Sequence, residues 1–129
     1  MTGDAVDLTA ERTARIDRAL ARLRRFDPSW AELFRSYVLD GMYERTVIPQ
    51  QTRELCAVAA LAALDRPGPL RDHIKGALRH GATPAEVTEV ITQVSVYGGF
   101  PVALAALTAL EDVLGELGLA LPHPDEGGA

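Results

Sequence analysis

Apolar residues recur along this chain at intervals of three and four, and no segment shows the strict alternation of a half-buried strand. The pattern predicts a series of helices. A first helix over Leu8 to Phe26 carries Ile16, Leu20 and Leu23 at helical spacing, with arginines on its other sides. Asp27-Pro28 supplies an N-cap followed by a first-turn proline. A second helix follows, placing Trp30, Phe34, Tyr37 and Val38 on one face and ending at Gly41. Those aromatics read as core or subunit contacts rather than ligand contacts.

Pro49 opens a third helix to about Leu64 whose apolar part covers every face, so it is expected to be buried on all sides, with neighbouring subunits adding cover. Asp65-Arg66-Pro67-Gly68-Pro69 breaks it. A fourth helix carries Leu70, Ile74, Ala77 and Leu78 and stops near Gly81. Thr83-Pro84-Ala85-Glu86 is a capping box opening a fifth, with Val87, Val90, Ile91 and Val94. Gly98-Gly99-Phe100-Pro101 interrupts the chain, a last helix runs from about Pro101 to Leu117, and 122–129 reads as a frayed tail. The expectation is an all-α single domain over 1–129, of about six helices.

Composition narrows the function. The net charge of -5 argues against a nucleic-acid surface, which needs a basic face. Lys75 is the one lysine among 13 basic residues, an imbalance assigned to genomic base composition rather than to carboxylate recognition. Cys56 is the one cysteine, so neither an intrachain disulfide nor a thiolate metal site is available. The start MTGDAVD shows neither a basic segment nor an apolar core, so no secretion signal is expected, and the longest apolar run, Leu55 to Leu64, is too short to span a bilayer. A soluble, cytoplasmic protein is expected, with no nucleic-acid or membrane partner.

Few residues are left to carry chemistry. His73 precedes Ile74, beside the apolar face, where partial burial tunes an imidazole's readiness to take a proton; a lone helical histidine also fits a purely structural role. His80 stands beside Gly81 at a helix end, where an imidazolium complements the helix dipole. His123 falls in the tail. Glu54 lies where the third helix turns fully apolar, so its carboxylate must be solvated, kept neutral or paired, Arg53 or another arginine being the simplest partner. Glu89, Gln93 and Tyr97 follow one another along one side of the fifth helix, either a solvated face or a pocket lining beside the double glycine. No phosphate loop, His-x-x-x-His pair or nucleophile elbow appears.

The segment HIKGALRHGATPAEVTEVITQVSVYGGFPVA, from His73 to Ala103, closely resembles the signature of the carboxymuconolactone decarboxylase family: a histidine, then ALxxGAT, EVxxQ, a tyrosine and a Gly-x-Pro turn. Arg45, Ile48-Pro49 and Thr52-Arg53-Glu54-Leu55 look like the family's upstream segment. The resemblance covers roughly Phe26 to Leu117. It implies the helical fold of the alkylhydroperoxidase D proteins and a homo-oligomer, a trimer or hexamer. The redox branch carries Cys-x-x-Cys-x-x-x-His with a glutamate twelve positions before the first cysteine. Here Arg66 and Pro69 fall at the cysteine positions, while Glu54 matches the glutamate. A dithiol mechanism cannot run without its thiols, and Cys56, expected within a buried helix, does not replace them. By resemblance, His73 is the general acid/base and Glu54 orients it or shares its proton. Arg45 and Arg53 are candidates to grip a carboxylate, Gln93 and Tyr97 to donate to a lactone oxygen, and Glu89 and His80 to line the substrate site. The implied reaction is cofactor-free decarboxylation of a small carboxylated lactone. The alternatives are isomerisation, cyclisation or elimination on a larger natural product, and a non-catalytic ligand-binding oligomer.

Overall fold

A computed structural model describes residues 5–124 of the chain. Among them there is no strand, and six α-helices follow in order: α1 (Leu8–Phe26), α2 (Pro28–Phe34), α3 (Gln50–Ala63), α4 (Pro67–Arg79), α5 (Pro84–Gly98) and α6 (Phe100–Leu117). The starts are set by local chemistry. Asp7 caps α1 by accepting from the N–H groups of Thr9 and Ala10. Asp27 caps α2 through Ser29 and Trp30, and these hydrogen bonds, the Ser29 hydroxyl's first, hold its carboxyl below the usual range. The expected capping box is present at α5, with both Thr83–Glu86 bonds made.

The core belongs to α3–α6. Val58 and Ala62, Leu70, Ile74 and Ala77, Val87, Ile91 and Val94, and the Ala103–Leu114 stripe of α6 bury one another almost completely. The first two helices stand outside this cluster as a hairpin, packed against each other, with Leu20 and Ala31 their buried residues. α1 leans on α4, where Arg15 meets Asp72 at 3.5 Å and Lys75 meets Glu11 at 3.6 Å. No described helix is long and apolar enough to cross a membrane.

Several expectations are corrected. The second helix is not continuous to Gly41: it widens into a π turn over Arg35–Leu39, closed by Asp40 N–H donating to the Arg35 carbonyl at 2.9 Å. A short 3₁₀ turn, Met42–Glu44, follows. Gly41 permits the change of path, because a Cβ there would sit 2.5 Å from the Tyr37 carbonyl oxygen. Trp30 and Tyr37 are exposed in the single chain rather than in its core, while Phe34 and Val38 line a cavity. The third helix ends before Asp65-Arg66 as expected, but Pro67-Gly68-Pro69 is not loop: it forms the first turn of α4, whose N–H groups have no helical partner to lose.

Within one chain the third helix is covered on one side only. Glu54, Val58 and Ala62 face the core, whereas Thr52, Cys56, Ala60 and Ala63 are exposed on the other side. Cys56 is therefore not a buried thiol within one chain. Pro122–Pro124 carries no helix, and 125–129 of the expected tail lies outside the described residues.

Candidate active site

The hairpin does not close flat against α3 and α4. Between them lies a cavity of about 320 Å³. Arg12, Arg15, Ile16 and Ala19 come from α1, Phe34, Val38 and Leu39 from α2 and the π turn, Tyr43 from the 3₁₀ turn, Glu54 from α3, and Pro69, Asp72, His73 and Gly76 from α4. The widened turn thus falls at the cavity wall, a frequent location for such bulges.

At its inner end, His73 Nδ1 lies 2.8 Å from Glu54 Oε2. Glu54 is 4 % exposed, and burying a carboxylate is costly unless a donor replaces its water. The imidazole is that donor. The pairing overturns the arginine partner expected for Glu54. It also orders the ring: with Nδ1–H donated to the carboxylate, Nε2 is left without a protein partner among the described residues, on a ring that lines the cavity. Such a nitrogen takes a proton as a neutral ring and delivers one as an imidazolium.

Tyr43 completes the cluster. Its hydroxyl is 3.4 Å from His73 Nδ1, and the two rings stack at 29° with centroids 6.0 Å apart. Because Nδ1–H is committed to Glu54, the phenol's own hydrogen is free for a group inside the cavity. Burial, then the charge of Glu54, raise the Tyr43 pKa above 10.0, keeping it a donor at neutral pH. Gln50 Nε2 donates to the Tyr43 carbonyl at 2.7 Å and ties this segment to the start of α3.

The expected site residues divide. Only His73 and Glu54 lie on this cavity. Arg45 is exposed and supplies its carbonyl to Gln50 and Arg53, the latter at 3.4 Å; neither arginine lines the cavity. Arg53 Nε is buried without a partner in the described residues. Gln93 and Tyr97 lie on a separate, largely apolar groove between α3 and α5, of about 480 Å³, beside Leu55 and Cys56. Glu89 is exposed and lines neither. His80 caps the end of α4 but is not favoured as an imidazolium: burial, then the Arg79 charge, lower its pKa, outweighing the dipole argument. Its carbonyl accepts from Gln51 Nε2 at 3.0 Å.

Tyr43, Arg12, Arg15 and Phe34 were missed. Arg12, Arg15, Ile16 and Ala19 recur at i, i+3, i+4 and i+7, a single stripe of α1 visible in the sequence. What the sequence lacked was any sign of which surface that stripe faces. Pro69, at one redox-cysteine position, lines the cavity, and Arg66, at the other, is the N-cap of α4.

Fold and cavity together define an all-α protein holding a hydrogen-bonded histidine–glutamate pair beneath a helical hairpin. The sequence model of the carboxymuconolactone decarboxylase family matches residues 28–112. The chain is also 31% identical over 105 residues to 4-carboxymuconolactone decarboxylase of Acinetobacter baylyi, covering 81% of this chain and 78% of that protein. The chain belongs to the carboxymuconolactone decarboxylase family.

Proposed function

We propose that the protein decarboxylates a small carboxylated lactone of the 4-carboxymuconolactone type, without a cofactor, using His73 and Glu54 as an acid–base pair. The observation that carries the reading is the 2.8 Å contact between His73 Nδ1 and the buried Glu54 carboxylate, with His73 on the wall of the 320 Å³ cavity. A cavity of that size lies at the small end of ligand sites, which favours a single-ring substrate over a large natural product.

The substrate class is its own electron sink. When the bond from the γ-carbon to the departing carboxylate breaks, carbon dioxide leaves and the electron pair moves through the ring double bond onto the lactone's carbonyl oxygen. The Tyr43 hydroxyl is the donor proposed to meet that oxyanion. An imidazolium at His73 then delivers the Nε2 proton to the ring carbon beside the carbonyl, restoring the lactone, and the neutral ring regains a proton from solvent. Glu54 holds the ring in one tautomer and one orientation.

Self-association belongs to the same proposal. The apolar α3–α5 groove, flanked by exposed Val96, Tyr97, Phe100 and Leu104, supports a second copy of the chain as its cover.

The test is carbon dioxide release from 4-carboxymuconolactone. His73→Ala is expected to lose roughly 10²–10⁴-fold in kcat, the usual contribution of a positioned acid–base group. Glu54→Gln is expected to fall similarly with its fold intact by circular dichroism. Activity surviving both substitutions would eliminate the assignment, and a wild-type protein inert toward the lactone would eliminate the substrate class.

A further inference from the structure

We propose that Arg12 is the specificity-determining residue of this site, gripping the carboxylate that the substrate keeps. This rests on the decarboxylase reading and names the group that selects its substrate.

Two cations face the cavity from α1, and they are not equivalent. Arg15 is spoken for: its guanidinium lies 2.6 Å from Glu11 Oε2 and 3.5 Å from Asp72 Oδ1. Arg12 makes no ion pair among the described residues, although it is partly buried on the same wall. Its charge is felt at Tyr43, where it only partly opposes the upward shift that burial and then Glu54 impose. A partly buried guanidinium without an ion pair, in a cavity whose other charged side chains, Arg15, Glu54 and Asp72, already have protein partners, is open to an anion that arrives from outside.

The chemistry decides which carboxylate it takes. The departing group loses its charge as it becomes carbon dioxide, so a cation on it would stabilise the ground state more than the transition state. The apolar side chains of α2 and the π turn suit that group. The retained carboxylate keeps its charge throughout, and a cation holding it binds ground state and transition state equally.

Uniform binding has a kinetic signature. Arg12→Gln is expected to raise KM for 4-carboxymuconolactone by about tenfold or more while kcat stays within roughly threefold. Calorimetry supplies a readout independent of turnover, using two unreactive butenolides that lack the departing carboxylate. One carries the acid arm, the other its neutral amide. The full-length wild-type protein is expected to prefer the acid by about tenfold or more, a preference lost in Arg12→Gln, partly restored in Arg12→Lys and retained in Glu54→Gln. An unchanged KM, a fall confined to kcat, an acid preference surviving in Arg12→Gln, or failure of the wild type to bind the acid arm would each overturn the proposal. Absence of turnover in the wild type together with an Arg12-dependent acid preference would refute the decarboxylase reading and leave the carboxylate grip standing.

Discussion

A methyl group at position 76 would sit 2.5 Å from Oε2 of Glu54 and 2.6 Å from its carboxyl carbon. Gly76 is therefore the space in which the carboxylate lies, one helical turn after His73 on the same face of α4. Two effects oppose each other in Gly76→Ala. Helix propensity favours alanine by about 1 kcal/mol, and overpacking costs typically 1–3 kcal/mol. Thermal stability is thus expected to fall by no more than about 2 kcal/mol by this balance, while the displaced carboxylate pulls the imidazole out of register. A displacement of about 1 Å can cost roughly 10²-fold in rate, so kcat is expected to fall far more than melting temperature. Parallel turnover and calorimetric measurements would check this, and a fully active Gly76→Ala enzyme would show that the carboxylate position does not matter.

Helix ends act at the scale of the element. His80 terminates α4, where burial and then the Arg79 charge depress its pKa below the ordinary 6.5. A base with a depressed folded pKa binds fewer protons folded than unfolded. Its contribution to stability is complete above about pH 6.5 and is lost as pH falls through the folded value. Urea titrations across that range are expected to show stability declining toward acid, less steeply in His80→Gln. An identical slope in the variant would assign the acid sensitivity elsewhere. Lys75, on the same helix, has the opposite sense. Burial alone would lower its pKa, but the Glu116 hydrogen bond at 2.9 Å and the Glu11 charge outweigh it and raise it. Its contribution is therefore present below the ordinary lysine value and is lost only as pH rises through the raised one.

For the whole molecule, the question is what covers α3. One face is sealed by the core, and the other opens with α5 into an apolar groove beside Tyr97, which is 83 % exposed. If copies of the chain meet there, sedimentation equilibrium is expected to give a multiple of one chain's mass, and Ala60→Glu, charged at the groove wall, to shift it toward the single chain. Cys56 offers a second check in the same place, since assembly would shield its thiol from a labelling reagent that reaches it in the variant. A wild-type protein that sediments as one chain would refute the self-association proposal.

Helix number and most helix starts were legible from the chain's own pattern, and the pairing of His73 with Glu54 only through the family resemblance. Apolar spacing, capping residues and the signature segment are local features, each readable within a few turns. The extent of α2 and the start of α4 were not, because a π turn and a helical Pro-Gly-Pro depend on what neighbouring backbone permits. The site's outer half was beyond reach for a related reason. Arg12, Phe34 and Tyr43 share a cavity with His73 because a two-helix hairpin rests on α4 through ion pairs and leaves a gap beneath it. Arg45 and Arg53 share a sequence neighbourhood with Glu54 but not a wall of the cavity. Periodicity tells which residues lie on one stripe of a helix; the packing of one helix against another decides what that stripe faces.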